Sequence, residues 1–360
     1  MDAYSRMELC RALGDETPMR DMGRAETAGT VKCPLCPARR QKRFARGRGF
    51  LGHMAHAHPN ADVVSAVREA DASVMTVEKA VLPKACAAAR DGDSATLERL
   101  YDEGSWDPLG SGCRDRHGYR PHHWAAGGVC CLEDASPNCC LDACLERASA
   151  RAVDELTRRE QRDGKRGSRA LLHWAARNGV ARHARKLLVD TPPDVRTADG
   201  TTPLMLALYG GHLDVAELLV GRGAAIQCDL RNDWGCTDVH WAAMGNAPVR
   251  SLRWLARVYA GTEPFSHKLV SRQIHGHSAF HKLAQRGSAD AVVFLARDAL
   301  GASTTLLDAA LAPDSSRRRP SQIARCAGFP DCADTLDKLQ AGVAAAVQSR
   351  AATTQMYEIF

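Results

Sequence analysis

Between Asp199 and Ala225 the apolar positions fall into two short helical runs separated by a glycine break. Leu204, Leu206, Ala207 and Leu208 form the first, and Leu213, Val215, Ala216, Leu218, Leu219 and Val220 form the second. Residue chemistry marks the boundaries. Thr202 is placed to cap a helix whose first residue is Pro203, where the missing N–H costs nothing and φ is already helical. Gly210 and Gly211 end that helix, and Gly223 sits where a second helix wants a left-handed C-terminal residue. The first run is too short to be stable alone. The stretch therefore predicts a helix-turn-helix hairpin.

Variants of this pattern recur along the chain. From Ala85, ACAAARDGDSATLERLYDEG has alanines in a first helix, Gly92 at the turn, and Leu97, Leu100 and Tyr101 in a second. GYRPHHWAAGG carries Gly118, Pro121, His123, Ala125 and Ala126, while LLHWAARNG carries His173, Ala175, Ala176 and Gly179 with Leu187 and Leu188 behind them. GCTDVHWAAMG supplies Gly235, Thr237, His240, Ala242 and Ala243, and GHSAFHKLAQRG supplies Gly276, His281, Ala284 and Gly287. RRPSQIARCAG ends the series with Pro320, Ala324 and Gly328, followed by Leu336 and Leu339.

These residues resemble the G-x-T-P-L-H-x-A-A motif of ankyrin repeats, whose period is about 33 residues. The position of the motif histidine is held by Cys86, His123, His173, Met205, His240, His281 and Gln322, at intervals from 32 residues (His173 to Met205) to 50 (His123 to His173). The longer intervals predict inserted loops, which an array tolerates because each unit contacts only its neighbours. Arg120 stands at the capping threonine of its unit, so the usual hydroxyl is absent there. The resemblance covers about residues 82–341 and implies an all-α fold, an ankyrin-repeat solenoid of about seven divergent, stacked helix-turn-helix units. Residues 61–81 are expected to form a helical connector, and residues 342–360 a tail after an alanine-rich helix. The terminal QMYEIF is expected to fray or to dock on the array or in a partner's groove.

The resemblance also implies roles for residues. The imidazoles of His123, His173, His240 and His281 are expected to link neighbouring units by hydrogen bonds rather than to catalyse. Trp124, Trp174 and Trp241, each following a motif histidine, are expected to pack between units. Ankyrin proteins bind other proteins with a concave surface of turn tips and first-helix ends. Carried over by position, the partner-binding residues are His117, Tyr119, Arg177, Asn178, Tyr209, Asp233, Trp234, Met244, His275, His277, Gln285 and Arg286. Their aromatic and basic character suits a protein partner with acidic and apolar features.

The segment from Cys33 to Pro59 carries different chemistry. Cys33 and Cys36 have the spacing that lets one turn aim two thiolates at a metal, and His53, His56 and His58 follow on an expected helix. The segment resembles a two-cysteine, two-histidine zinc finger over about residues 31–60, with Phe44 and Phe50 as its small core and residues 1–30 expected to be disordered before it. The metal ligands are read as Cys33, Cys36, His53 and His58, with His56 the alternative to His58, although sixteen residues separate Cys36 from His53 where the family has about twelve. Zinc, one ion, is the expected cofactor. Between the ligands Arg39, Arg40, Lys42, Arg43, Arg46 and Arg48 form a basic run suited to phosphate contact, to nuclear import or simply to solvation. Nucleic acid is therefore a second candidate partner.

Composition adds limits. A net charge of +6 permits acidic partners without requiring them, and aromatic residues at 5% suit close-packed short helices. The chain shows no signal-peptide core and no run of about eighteen apolar residues, so an intracellular protein, cytoplasmic or nuclear, without a membrane span is expected. Its 14 cysteines are then expected to stay reduced, buried or metal-bound. Cys130, Cys131, Cys139, Cys140 and Cys144 with His122 present a second possible zinc set, but the helical spacing of Leu141, Cys144 and Leu145 favours packing. No phosphate-binding glycine loop, nucleophile elbow or H-E-x-x-H is present, so no enzymatic activity is expected.

Overall fold

The computed structural model describes residues 30–32, 43–45, 82–110, 113–115, 118–128, 139–162, 169–226, 230–260, 265–301 and 303–357. Contacts divide the chain into two units. The larger spans Leu82–Ser321 and Asp331–Phe360, and the smaller contains two short strands and Gln322–Pro330. In the smaller unit β1 (Thr30–Lys32) and β2 (Arg43–Ala45) pair antiparallel, with Val31 opposite Phe44 and Lys32 opposite Arg43.

The larger unit is built of helix pairs. The first pair is α1 (Lys84–Asp91) and α2 (Ser94–Asp102), the second α3 (Pro121–Ala126) and α4 (Cys140–Arg147). After α5 (Ala150–Arg162) come α6 (Leu171–Asn178) with α7 (Ala181–Leu187), then α8 (Pro203–Gly210) with α9 (Leu213–Gly221). Next are α10 (Asp238–Met244) with α11 (Pro248–Val258), then α12 (Phe265–Val270). They are followed by α13 (Ala279–Arg286), α14 (Ala289–Phe294) and α15 (Thr304–Leu311). α16 (Pro320–Cys326) and α17 (Pro330–Tyr357) close the described chain, and α17 runs as one helix across residue 341, where the tail was expected to begin.

The predicted punctuation of the hairpin at Thr202 is present. The Thr202 hydroxyl accepts the Met205 N–H at 3.3 Å, Gly211 takes φ 80°, and Gly223 takes φ 91°. No helix of this pair could persist alone, and each buries its apolar side against the next pair: Leu206, Ala207 and Leu208 of α8 and Val215, Ala216 and Leu219 of α9 are all closed to solvent.

The long intervals differ from expectation. They hold helices rather than plain loops, one each for α5, α12 and α15. Each has a reason to dock, which for α15 is the Ala310 carbonyl accepting the Ser278 hydroxyl at 2.6 Å. α5 buries Val153, Asp154 and Thr157, and its Asp154 carboxylate accepts the Leu171 N–H at 3.0 Å, supplying the cap that Ala170 cannot. Burial pushes the Asp154 carboxyl up to about 6, against the lowering effect of that N–H. α12 buries Lys268, whose Nζ donates to the Ile226 carbonyl at 3.2 Å and to the Tyr259 hydroxyl, while the hydroxyl donates to Asp238. An insertion that buries a cation this way needs every one of those acceptors.

Candidate functional site: turn tips and the first-helix strip

Five turns share one geometry. In each, the N–H of the first residue donates to the carbonyl of the fifth: Asp115 to Tyr119, Thr197 to Thr201, Asn232 to Cys236, Gln273 to His277 and Asp314 to Arg318, at 2.9 to 3.1 Å. The fourth residue takes the left-handed conformation, which costs glycine nothing. Gly276 illustrates the need, with φ 76° and a would-be Cβ only 2.8 Å from the Ser315 nitrogen. The last turn breaks this rule, for Arg317 holds the same position at φ 60°. Successive turns are laced together: Asp233 N–H to the Asp199 carbonyl at 2.9 Å, Ile274 to Trp234 at 3.0 Å, and Ser315 to His275 at 3.0 Å.

The motif histidines tie each first helix to the next turn. His123, His173, His240 and His281 each accept at Nδ1 the N–H three residues earlier, from Arg120, Ala170, Thr237 and Ser278, at 3.1 to 3.3 Å. Nδ1 being the acceptor, Nε2 carries the proton. It donates to the Thr201 carbonyl from His173 at 3.1 Å and to the His277 carbonyl from His240 at 3.0 Å. For His123 and His281 the equivalent carbonyls, of Arg169 and Arg318, act on the ring without a well-aligned bond at Nε2. Cys86 stands in the same position of the first pair and points its thiol at the matching Tyr119 carbonyl, at 3.9 Å. Burial holds the rings neutral, pushing His123 down to about 3 and His173 and His281 to about 4. These imidazoles are structural links.

Beside them runs an aromatic strip. Trp124 and Trp174 have ring centres 5.2 Å apart, and Tyr119 meets Trp174 edge-on at 4.8 Å. Arg177 lies over the Tyr209 ring at 4.9 Å, Tyr209 meets Trp241 at 5.8 Å, and Trp234 packs on the cluster of Met205, Leu206, Tyr209, Cys236, Trp241 and Met244. The tryptophans pack between units as expected. Their indole N–H groups, at Trp124, Trp174 and Trp241, have no protein acceptor within hydrogen-bond distance, so these rings contribute through packing.

The strip sorts the expected contact residues. Asn178, Asp233, His275 and Arg286 are exposed, and Tyr119, Arg177, Trp234 and Gln285 are half-buried. The Arg286 guanidinium reaches Asn246 at 3.5 Å, and Trp234 approaches His275 with ring centres 6.3 Å apart. Tyr209, Met244 and His277 are buried and belong to the packing beneath the surface, a correction to their placement as contact residues. His277 stacks on His281 at 5.3 Å, and its Nε2 donates to Asp314 at 3.1 Å. Burial alone would raise the Asp314 carboxyl, but the Arg318 N–H and guanidinium outweigh it and hold the carboxyl below its ordinary value. One surface residue escaped the sequence reading: Ile274, 57% exposed at a turn tip beside Trp234. Its signal was its place immediately before His275, a turn residue already singled out.

Other expectations fall elsewhere. His117 and the ligand set Cys33, Cys36, His53 and His58 lie outside the described residues, as do His56, Cys130 and Cys131. Cys139, Cys140 and Cys144 are buried, and Cys139 Sγ meets His183 Nε2 at 3.1 Å while His183 Nδ1 donates to the Ala126 carbonyl at 3.0 Å. This chain of bonds ties the second pair to the third. Among the described residues no group of three metal-ligating side chains converges, and no helix is long and apolar enough to cross a membrane.

A family model describing ankyrin repeats, three copies in length, matches residues 141–232 and 172–266. Repeats of this kind are protein-interaction modules. The matched region contains two of the five turns, the Thr202 hairpin, His173 and His240: over these residues the chain carries ankyrin repeats.

Proposed function

We propose that the chain is a non-enzymatic ankyrin-repeat adaptor that recognises a protein partner with its turn tips and first-helix strip. One observation carries this reading: half-buried Trp234 and exposed Ile274 and His275 share neighbouring turn tips held in register by backbone bonds. Rigid aromatic and aliphatic groups on a fixed frame lose little entropy on binding and dominate protein interfaces. The flanking Asp233, Arg177 and Arg286 add a polar rim. The test is affinity capture with quantitative mass spectrometry, comparing the full chain with a Trp234→Ala, Ile274→Ser variant whose circular dichroism is unchanged. Loss of specific partners supports the assignment, whereas an identical set of partners overturns it.

The N-terminal segment is proposed to hold one zinc ion through Cys33, Cys36, His53 and His58. Support comes from the β1–β2 pairing, which brings Lys32 opposite Arg43 and so closes the chain on the ten-residue connection containing both cysteines. Two thiolates and two imidazoles suit a tetrahedral structural zinc, which would supply folding energy to a segment too small for its own core. Metal analysis of the full chain and of a Cys33→Ser, Cys36→Ser variant tests it, the expected result being one zinc lost. Equal zinc content in both would dismiss the site. The basic run of this segment makes nucleic acid the alternative partner, and binding that fails to weaken with salt would dismiss that alternative.

A further inference from the structure

The second helices carry a surface of their own. α11 reads PVRSLRWLARV, and Arg250, Arg253 and Arg257 recur at spacings of three and four, so they share one exposed face while Leu252, Trp254 and Leu255 fill the opposite, buried one. Between this face and the end of α14 lies a groove of about 670 Å³. Its floor is apolar, formed by Val249, Ala256, Ala260 and Phe294, and its rim is the three guanidinium groups. Arg253 lies over the Phe294 ring at 5.3 Å. After Phe294 the helix widens into a π turn, Leu295–Ala299, a local distortion often found at functional sites.

The charges on this rim are unbalanced. Several exposed or half-exposed arginines elsewhere meet acids: Arg90 with Asp91, Arg99 with Glu103, Arg159 with Glu155, and Arg182 with Asp142. α11 contains no acid. Of the acids on the helices packed beside it, Asp238 of α10 is held by Tyr259 and Lys268, Glu217 of α9 accepts the Trp254 indole N–H at 3.2 Å and Asp214 lies in that helix's first turn, and Asp290 follows the start of α14, with Asp298 in the π turn. Among the described residues none of these lies within ion-pair distance of Arg250, Arg253 or Arg257.

From this juxtaposition of an apolar floor with an uncompensated triple-arginine rim, we propose that the α11–α14 groove is a second docking site, one that takes an acidic peptide segment carrying one large apolar side chain. The three guanidinium groups match carboxylates in bidentate fashion, and the floor takes the apolar anchor. A nucleic acid would use the rim but leave the floor unfilled, and the one aromatic ring here is buried under Arg253 rather than open for a base to stack. This site is independent of the turn-tip surface, so either can fail without the other.

Short random peptides displayed on phage and panned against the full chain supply the probe, and selected peptides are then labelled for fluorescence anisotropy. The expected peptides are acidic with one conserved large apolar position. Changing Arg250, Arg253 and Arg257 together to alanine is expected to weaken them at least tenfold, with circular dichroism and the melting temperature checking that the fold withstands loss of the Arg253 contact with Phe294. Ala256→Arg is the second variant: it fills the floor while adding positive charge, so it is expected to abolish peptide binding but not the binding of a single-stranded oligonucleotide. The proposal is overturned if no acidic peptide is selected, if the triple variant binds selected peptides as well as the parent, or if Ala256→Arg strengthens them as a plain polycation would.

Discussion

The repeat at Thr202–Gly221 and the repeat at Thr237–Val258 hold the same fold by different means. In the first, the Thr202 hydroxyl caps the helix and Met205 fills the histidine position with an apolar side chain. In the second, His240 caps the helix through Nδ1 and reaches the next turn through Nε2. A hydroxyl cap satisfies one helix end and goes no further. The imidazole couples two units, so its value lies in cooperativity along the array as well as in the local helix.

Acid should expose that difference most strongly. His123, His173 and His281 are held neutral with values near 3 to 4, below the ordinary value of about 6.5. Their contribution is complete above about pH 6.5 and is lost as pH falls toward 4, because the unfolded chain takes up protons that the folded one refuses. His122, lowered by burial to about 4, and His277, lowered to about 3, act in the same direction, and Asp154, raised to about 6, opposes them between about pH 4 and 6 as one group against five. Denaturant titrations from pH 7 to pH 4 are expected to show a net fall in stability. A flat profile would mean that these links do not control it.

Single substitutions sharpen the comparison. His240→Ala removes both bonds and leaves a cavity, and is expected to lower stability by about 3 kcal/mol in urea denaturation. Thr202→Ala, where the hydroxyl is the cap, is expected to cost about 1 kcal/mol. Thr237→Ala should cost less, on the order of 0.5 kcal/mol, because the imidazole keeps the N-cap N–H. Ala170 already works this way beside His173. Equal losses at Thr202 and Thr237 would erase the distinction between the two devices.

An effect of opposite sign concerns the turn that follows His281. Arg317 sits where the four matching turns have glycine, so Arg317→Gly should relieve left-handed strain and raise the melting temperature, a gain of about 0.5–1 kcal/mol. A loss instead would show that the arginine side chain contributes more than the strain it imposes.

Much of the fold was legible in residues with specific backbone demands. Thr202, Pro203, Gly211 and Gly223 mark helix ends by chemistry that acts within a few residues, and the histidine positions repeat that local signature. The insertions were not legible as helices, because α5, α12 and α15 are fixed by distant partners: Asp154 by the Leu171 N–H, Lys268 by Ile226, Tyr259 and Asp238, and the Ala310 carbonyl by the Ser278 hydroxyl at 2.6 Å. The contact strip was legible by register but not by depth. Tyr209, Met244 and His277 occupy turn and helix-end positions in sequence, yet neighbouring units close over them.

The sequence by itself determined where helices begin, end and turn, since capping hydroxyls, proline and left-handed glycine act on their own stretch of backbone. Tertiary structure alone decided which of those residues face outward and which surfaces are left with unbalanced charge. Arg250, Arg253 and Arg257 are an ordinary polar helix face in sequence, and only the placing of Phe294 beside them makes a floor and a rim. Burial and charge pairing depend on atoms brought together from far along the chain, and no local pattern encodes them.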